Sequence, residues 1–190
     1  MGVMTLMVVA VAVAVIVLAA RIVPTWWRYR GARVIICPEN QRAAGITVAA
    51  GRVAARSIAS QPRLELSSCS RWPEKAGCGQ ECLHQVEDAP GDCLVRNILV
   101  QWYAGKKCAA CGQSFGTIPL TGARPAVLRA DMISVDWADI PAELLPATLA
   151  SSTPICFACH MGNTLVHQHP ELAIDRGRTA DKRIRSLGTE

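Results

Sequence analysis

Lys107-Cys-Ala-Ala-Cys-Gly112 and Ile155-Cys-Phe-Ala-Cys-His160, with 44 residues between Cys111 and Cys156, decide how this chain is read. A C-x-x-C turn sets two sulfurs where one ion can reach both. Two such turns can close a tetrahedral four-sulfur site. Cys108, Cys111, Cys156 and Cys159 are therefore the first candidates for metal ligands, with zinc as the expected ion.

The second turn runs on into His160 and so also spells C-x-x-C-H, the attachment signature of c-type haem. On that reading Cys156 and Cys159 carry the thioethers and His160 is the proximal ligand, with Met161, His167 and His169 as candidates for the opposite side. The five residues resemble c-type cytochromes, a family that attaches haem outside the cytoplasm. This reading leaves Cys108 and Cys111 without a role. The longer stretch 106–162 resembles zinc-ribbon proteins: a C-x-x-C-G knuckle, a β-rich insert, then a second C-x-x-C. The insert exceeds the usual length of about 15–20 residues. That resemblance implies a structural zinc ion and no catalytic activity.

Five cysteines lie upstream. Cys69, Cys78, Cys82 and Cys93 follow the spacing C-x8-C-x3-C-x10-C. They form a candidate second metal site for zinc or an iron–sulfur cluster, since four cysteines serve both. Separate disulfides or buried thiols are the alternatives. Cys37 begins a Cys-Pro-Glu turn and reads as a buried free thiol, although such a turn could donate a ligand. Nine cysteines is an odd number that fits a pure disulfide framework poorly. In a reducing compartment, patterned cysteines are more often metal ligands.

The compartment follows from the N-terminus. Met1 to Ala20 holds no charged residue and is nearly all aliphatic. About 20 residues at about 1.5 Å rise cross a hydrocarbon core of about 30 Å. Arg21 ends the run, and Trp26, Trp27 and Tyr29 stand where an aromatic belt belongs. A cleaved signal peptide is the alternative, but no Lys or Arg precedes the run and Leu18-Ala19-Ala20 is a poor cleavage site. Arg21, Arg28, Arg30 and Arg33 follow closely. The positive-inside rule then predicts a single-pass membrane protein, N-terminus out and soluble domain in the cytoplasm.

Residues 21–63 hold eight arginines against Glu39 alone, whereas residues 64–190 carry a net −2. The basicity thus sits beside the expected bilayer, where it sets topology or meets anionic headgroups. The folded part lacks the basic face that nucleic acid binding requires.

The remaining pattern predicts an α+β fold: one N-terminal transmembrane helix and a small cysteine-rich, zinc-ribbon-like soluble domain. An anchor (1–23) leads to a basic, aromatic juxtamembrane segment (24–32). A small β region with helices (33–104) carries the upstream cysteines. A zinc-ribbon-like region (105–175) and a charged tail (176–190) follow. Strands are expected at 33–37, 46–49 and 63–67, with 51–60 open between strand, loop and helix. Residues 79–104 read as helical, Asp92 as a cap. Residues 125–137 read as a hairpin around Ala130-Asp131, and 141–149 as a helix. Trp72, Trp102 and Trp137 are expected core anchors.

No Ser/His/Asp ordering, phosphate-binding glycine loop or paired carboxylates occurs, so no catalytic residue or small-molecule substrate is nominated. The whole chain resembles membrane-anchored, cysteine-rich bacterial proteins through Cys69-Ser-Arg-Trp-Pro-Glu, Cys78-Gly-Gln-Glu-Cys82, Trp102-Tyr-Ala-Gly-Lys and the two knuckles. That resemblance implies an architecture without an assigned activity. The expected function is a membrane-tethered, zinc-stabilised accessory protein with a protein partner near the bilayer. Its alternatives are an electron-transfer subunit, with haem c at Cys156, Cys159 and His160 or an iron–sulfur cluster upstream, and a thiol oxidoreductase using one C-x-x-C.

Overall fold

The computed structural model describes residues 2–58, 63–75, 77–119 and 121–170; the expected charged tail lies outside them. The aliphatic run forms the start of helix α1 (Gly2–Tyr29). Among the described residues, it is the one helix long and apolar enough to cross a membrane, by length and composition. The helix continues through Pro24, which has no N–H to give to the preceding turn. The Thr25 hydroxyl donates to the carbonyl of Arg21 at 3.0 Å. At 28 residues the helix outruns a hydrocarbon core by several residues. Its last residue, Tyr29, is buried in the core of the first unit.

As far as the described residues go, the chain divides into two compact units. The first comprises Met1–Ala104 and Ala138–Ala150; the second comprises Gly105–Trp137 and Ser151–Glu190. The region read from sequence as one ribbon, 105–175, is thus interrupted by residues 138–150, which belong with the first unit.

The first unit holds the sheet β1 (Ala32–Ile36), β2 (Ala43–Val48) and β3 (Leu66–Cys69), antiparallel and in that order. Along β2 the buried positions alternate, with Ala44, Ile46 and Val48 inward, as a half-buried strand dictates. The stretch 51–60, left open by its sequence, begins in helix α2 (Ala50–Arg56), which lies against α1. Short helices α3 (Trp72–Lys75) and α4 (Leu83–Asp88) follow, then α5 (Val95–Tyr103). The helical region 79–104 is therefore two helices separated by turns. Leu94, not Asp92, occupies the N-cap of α5, without a side-chain cap bond.

Ile46, Val53, Leu66 and Val86 pack with Tyr29 into the main core. Trp72, Trp102 and Trp137 are only half-buried, while Tyr103 is fully buried. A 3-10 turn (Ala142–Leu144) and helix α6 (Leu145–Ser151) return to this unit. The turn rests on Gly45 of β2, where a Cβ would stand 2.7 Å from Glu143 Oε2 and 3.0 Å from Ala142 Cβ. A larger residue would require the Glu143 carboxylate to move aside and the turn to shift by a few tenths of an ångström.

The second unit has its own antiparallel sheet, in the order β5 (Ser134–Val135), β4 (Ala126–Leu128), β6 (Thr153–Ile155). β4 and β5 form the expected hairpin, closed by Met132 at φ 63°. Helix α7 (Phe157–Gln168) follows β6 at once.

Candidate metal centre

The first knuckle is a tight hairpin. Lys107 bridges Ser114, and the Cys108 N–H donates to the Gln113 carbonyl at 2.8 Å. The Gly112 N–H donates back to the Cys108 carbonyl at 2.9 Å, with Gly112 at φ +74°. That left-handed conformation suits a residue without Cβ, which is what the glycine after the second cysteine supplies.

The second knuckle has a different origin. Cys156 is extended at the N-cap of α7, and Cys159 lies in the first helical turn. The His160 N–H donates to the Cys156 carbonyl at 2.9 Å. Backbone donors tie the knuckles together: Ala109 N–H to the Pro154 carbonyl at 2.9 Å, and Cys156 N–H to Cys108 Sγ at 3.3 Å.

The result is convergence of the sulfurs of Cys108, Cys111, Cys156 and Cys159, all within 4.8 Å of one another. Among the described residues no other group of three or more Cys, His, Asp or Glu ligand atoms draws together in this way. Cys111 and Cys156 stand 3.8 Å apart. Zinc–sulfur bonds of about 2.3 Å in a tetrahedron require sulfurs about 3.8 Å apart. Cys108 is buried, Cys156 and Cys159 are half-buried, and Cys111 is exposed. Ala126, Leu128 and Ile155 pack around Cys108.

Proton affinities in the cluster are pulled apart. Burial opposes charge on Cys108, but backbone N–H groups of Cys111, Cys156 and Ala110 outweigh it and lower its pKa to about 6. Cys159 is pushed up to about 12, first by the Cys156 thiol, then by desolvation and the sulfurs of Cys111 and Cys108. Four thiols this close resist ionising together, and a divalent cation removes that conflict. The donor set and its spacing fit a thiophilic metal ion.

His160 lies outside the four sulfurs. Its Nδ1 is 2.7 Å from Ser134 Oγ, and that hydroxyl donates to Asn163 Oδ1 at 2.8 Å. With its one proton given to Asn163, Ser134 accepts from His160 Nδ1–H. Asn163 also takes the Ser134 N–H at 2.9 Å and donates to the Met132 carbonyl at 3.0 Å. His167 Nε2 approaches the same carbonyl at 3.3 Å. These residues tie α7 to the β4–β5 hairpin. Ser134 and Asn163 carried no motif signal; only their place opposite one another reveals the role.

Upstream, Cys69, Cys78 and Cys82 line one cleft of about 570 Å³, and the fourth cysteine on its wall is Cys37. Burial, then Cys69, Cys78 and Cys37, push the Cys82 thiol up to about 11. Cys93 is not on that wall. Its thiol faces the carbonyls of Ala89 and Pro90 at 3.6 and 3.8 Å and receives Arg33 Nη1 at 3.3 Å.

No family model matches the chain, and it has no match among curated proteins or solved structures.

Proposed function

We propose that the chain is a membrane-tethered accessory protein whose second unit is held by a structural zinc ion on Cys108, Cys111, Cys156 and Cys159. The observation that carries this reading is the four-sulfur convergence. Four protein ligands fill a tetrahedral zinc, leaving no open position for substrate or water, which is the pattern of a structural site. With no catalytic constellation in the sequence, the function that remains is docking a protein partner at the bilayer. The anchor is α1, and the arginines that follow its apolar run support a cytoplasmic domain.

The full-length protein in detergent, purified under reducing conditions, should contain zinc, and Cys108→Ser should lose it. Wild-type protein without zinc would overturn the reading. A reporter active only in the cytoplasm should work when fused after Glu190; activity of an export-dependent reporter there would reverse the topology.

A second reading is c-type haem on Cys156, Cys159 and His160. It is favoured by the bond from His160 Nδ1 to Ser134, which leaves Nε2 as the nitrogen free to ligate iron. A Soret band that survives denaturation selects it over zinc.

A further inference from the structure

We propose that Cys37, Cys69, Cys78 and Cys82 form a second, separate thiolate metal centre, in which Cys37 takes the place that sequence spacing gives to Cys93. The proposal goes beyond the zinc reading of the second unit and does not depend on it.

The sheet explains the set. Ile36 pairs with Ala43, the first residue of β2, so Cys37 leaves β1 at that end. Cys69 pairs with Ile46, and Ser70 N–H reaches the Gly45 carbonyl, so β3 leaves the sheet at the same end. The stretch from Cys78 to Cys82 lines the same cleft as Cys37 and Cys69. Two of the three described non-glycine residues with positive φ lie in the segments that deliver these cysteines: Gln41 (φ 56°), which closes the turn from Cys37, and Gln80 (φ 57°), between Cys78 and Cys82. The Gln41 N–H bonds the Cys37 carbonyl, and Gln80 Oε1 accepts the Leu66 N–H. Both loops are therefore held in conformations that side-chain-bearing residues rarely adopt.

The wall of the cleft supplies donors for anionic sulfur. Arg71 Nη1 lies 3.0 Å from Cys37 Sγ, with Glu39 on the same nitrogen at 3.1 Å. Trp72 also lines the cleft, and its indole Nε1 is buried without a hydrogen-bond partner. A buried donor left unmade is costly, and a thiolate in the same cleft is an acceptor it would take. Four thiolates around a divalent ion, or around an iron–sulfur cluster, retain net negative charge that a guanidinium offsets.

Cys78 adds the argument that packing cannot. It is exposed, so burial gives no reason for a cysteine there. Cys93 has such a reason: its sulfur is engaged by Arg33 and two backbone carbonyls.

The test uses full-length protein in detergent under reducing conditions, with zinc and iron counted per chain and the visible spectrum recorded. Wild type should hold two centres. These are either two zinc ions, or one zinc and an iron–sulfur cluster with broad visible absorption; either outcome supports the proposal and names the metal. Cys78→Ser should lose one centre and keep the other, and Cys37→Ser should do the same. Cys93→Ser should keep both. Cys108→Ser should lose the downstream metal and keep the upstream one, which separates failure here from failure of the zinc reading. A wild-type chain whose metal is lost entirely in Cys108→Ser, a Cys78→Ser variant with full metal content, or a Cys93→Ser variant that loses a centre would overturn it. Should Cys37→Ser misfold, the exposed Cys78 position decides alone.

Discussion

Both units are built on a three-stranded antiparallel sheet, yet they bury different things beneath it. The first closes over Ile46, Val53, Leu66, Val86 and Tyr29, with Leu99 and Tyr103 also fully covered. In the second, the cluster around the knuckles is Ala126, Leu128, Ile155 and the sulfur of Cys108. Burying an aliphatic side chain contributes about 1.5–3 kcal/mol. Structural zinc contributes apparent binding energies of about 10–16 kcal/mol in small peptides. The comparison teaches that a bound metal would matter most where the apolar core is thinnest. In the first unit a metal would fasten loops at one end of a sheet that already has its own core.

The largest effect that could break this contrast is Cys108→Ser. It should deprotect β4, β6 and the start of α7 in hydrogen exchange while β1 and β2 stay protected, at a cost on the order of 10 kcal/mol within the second unit. If both sheets open together, the two units are one cooperative block and the contrast is lost.

Arg33→Ala probes the other side. This side chain is fully buried, and Nη2 donates to the Arg28 carbonyl at 2.6 Å while Nη1 reaches Pro90 and Cys93. Hydrogen bonds to charged groups contribute about 1.5–3 kcal/mol each, so the first unit should melt much earlier in thermal denaturation. Zinc content of the second should not change. A variant that loses zinc would show that the units depend on each other.

The smallest effect belongs to His160→Ala. It removes one bond to Ser134, which keeps its bonds to Asn163, and should cost about 1 kcal/mol with metal content unchanged. A loss as severe as that of Cys108→Ser would move His160 into the ligand set and favour haem.

The four sulfurs were legible because a C-x-x-C turn is a local device, and their long insert changed nothing once it folded as a hairpin and an excursion. The β1 strand and the 125–137 hairpin were legible for the same reason: short apolar runs bounded by turn residues. Exchange of Cys93 for Cys37 at the upstream cleft was not. That set depends on which ends of β1 and β3 the register brings together, 32 residues apart in sequence. Arg33 misled in another way. Counted by charge, it belongs with the arginines that mark the membrane boundary; in the fold it is an interior residue, because backbone carbonyls and a thiol surround it. The return of 138–150 to the first unit brings Ala142 and Glu143 close against Gly45 of β2, a tertiary contact that no periodicity reports.

The junction at Arg30 and Gly31 has a mechanical consequence. Only these two residues separate α1 from β1. Gly31 turns the chain at φ +102°, where a Cβ would stand 3.2 Å from Leu94 Cδ1. Arg33 grips the carbonyl of Arg28, and Tyr29 is sunk in the core. A flexible linker lets a domain swivel about its tether; this joint has no slack. Tilt or axial rotation of α1 must therefore carry the β1–β3 sheet with it, as a handle carries a blade.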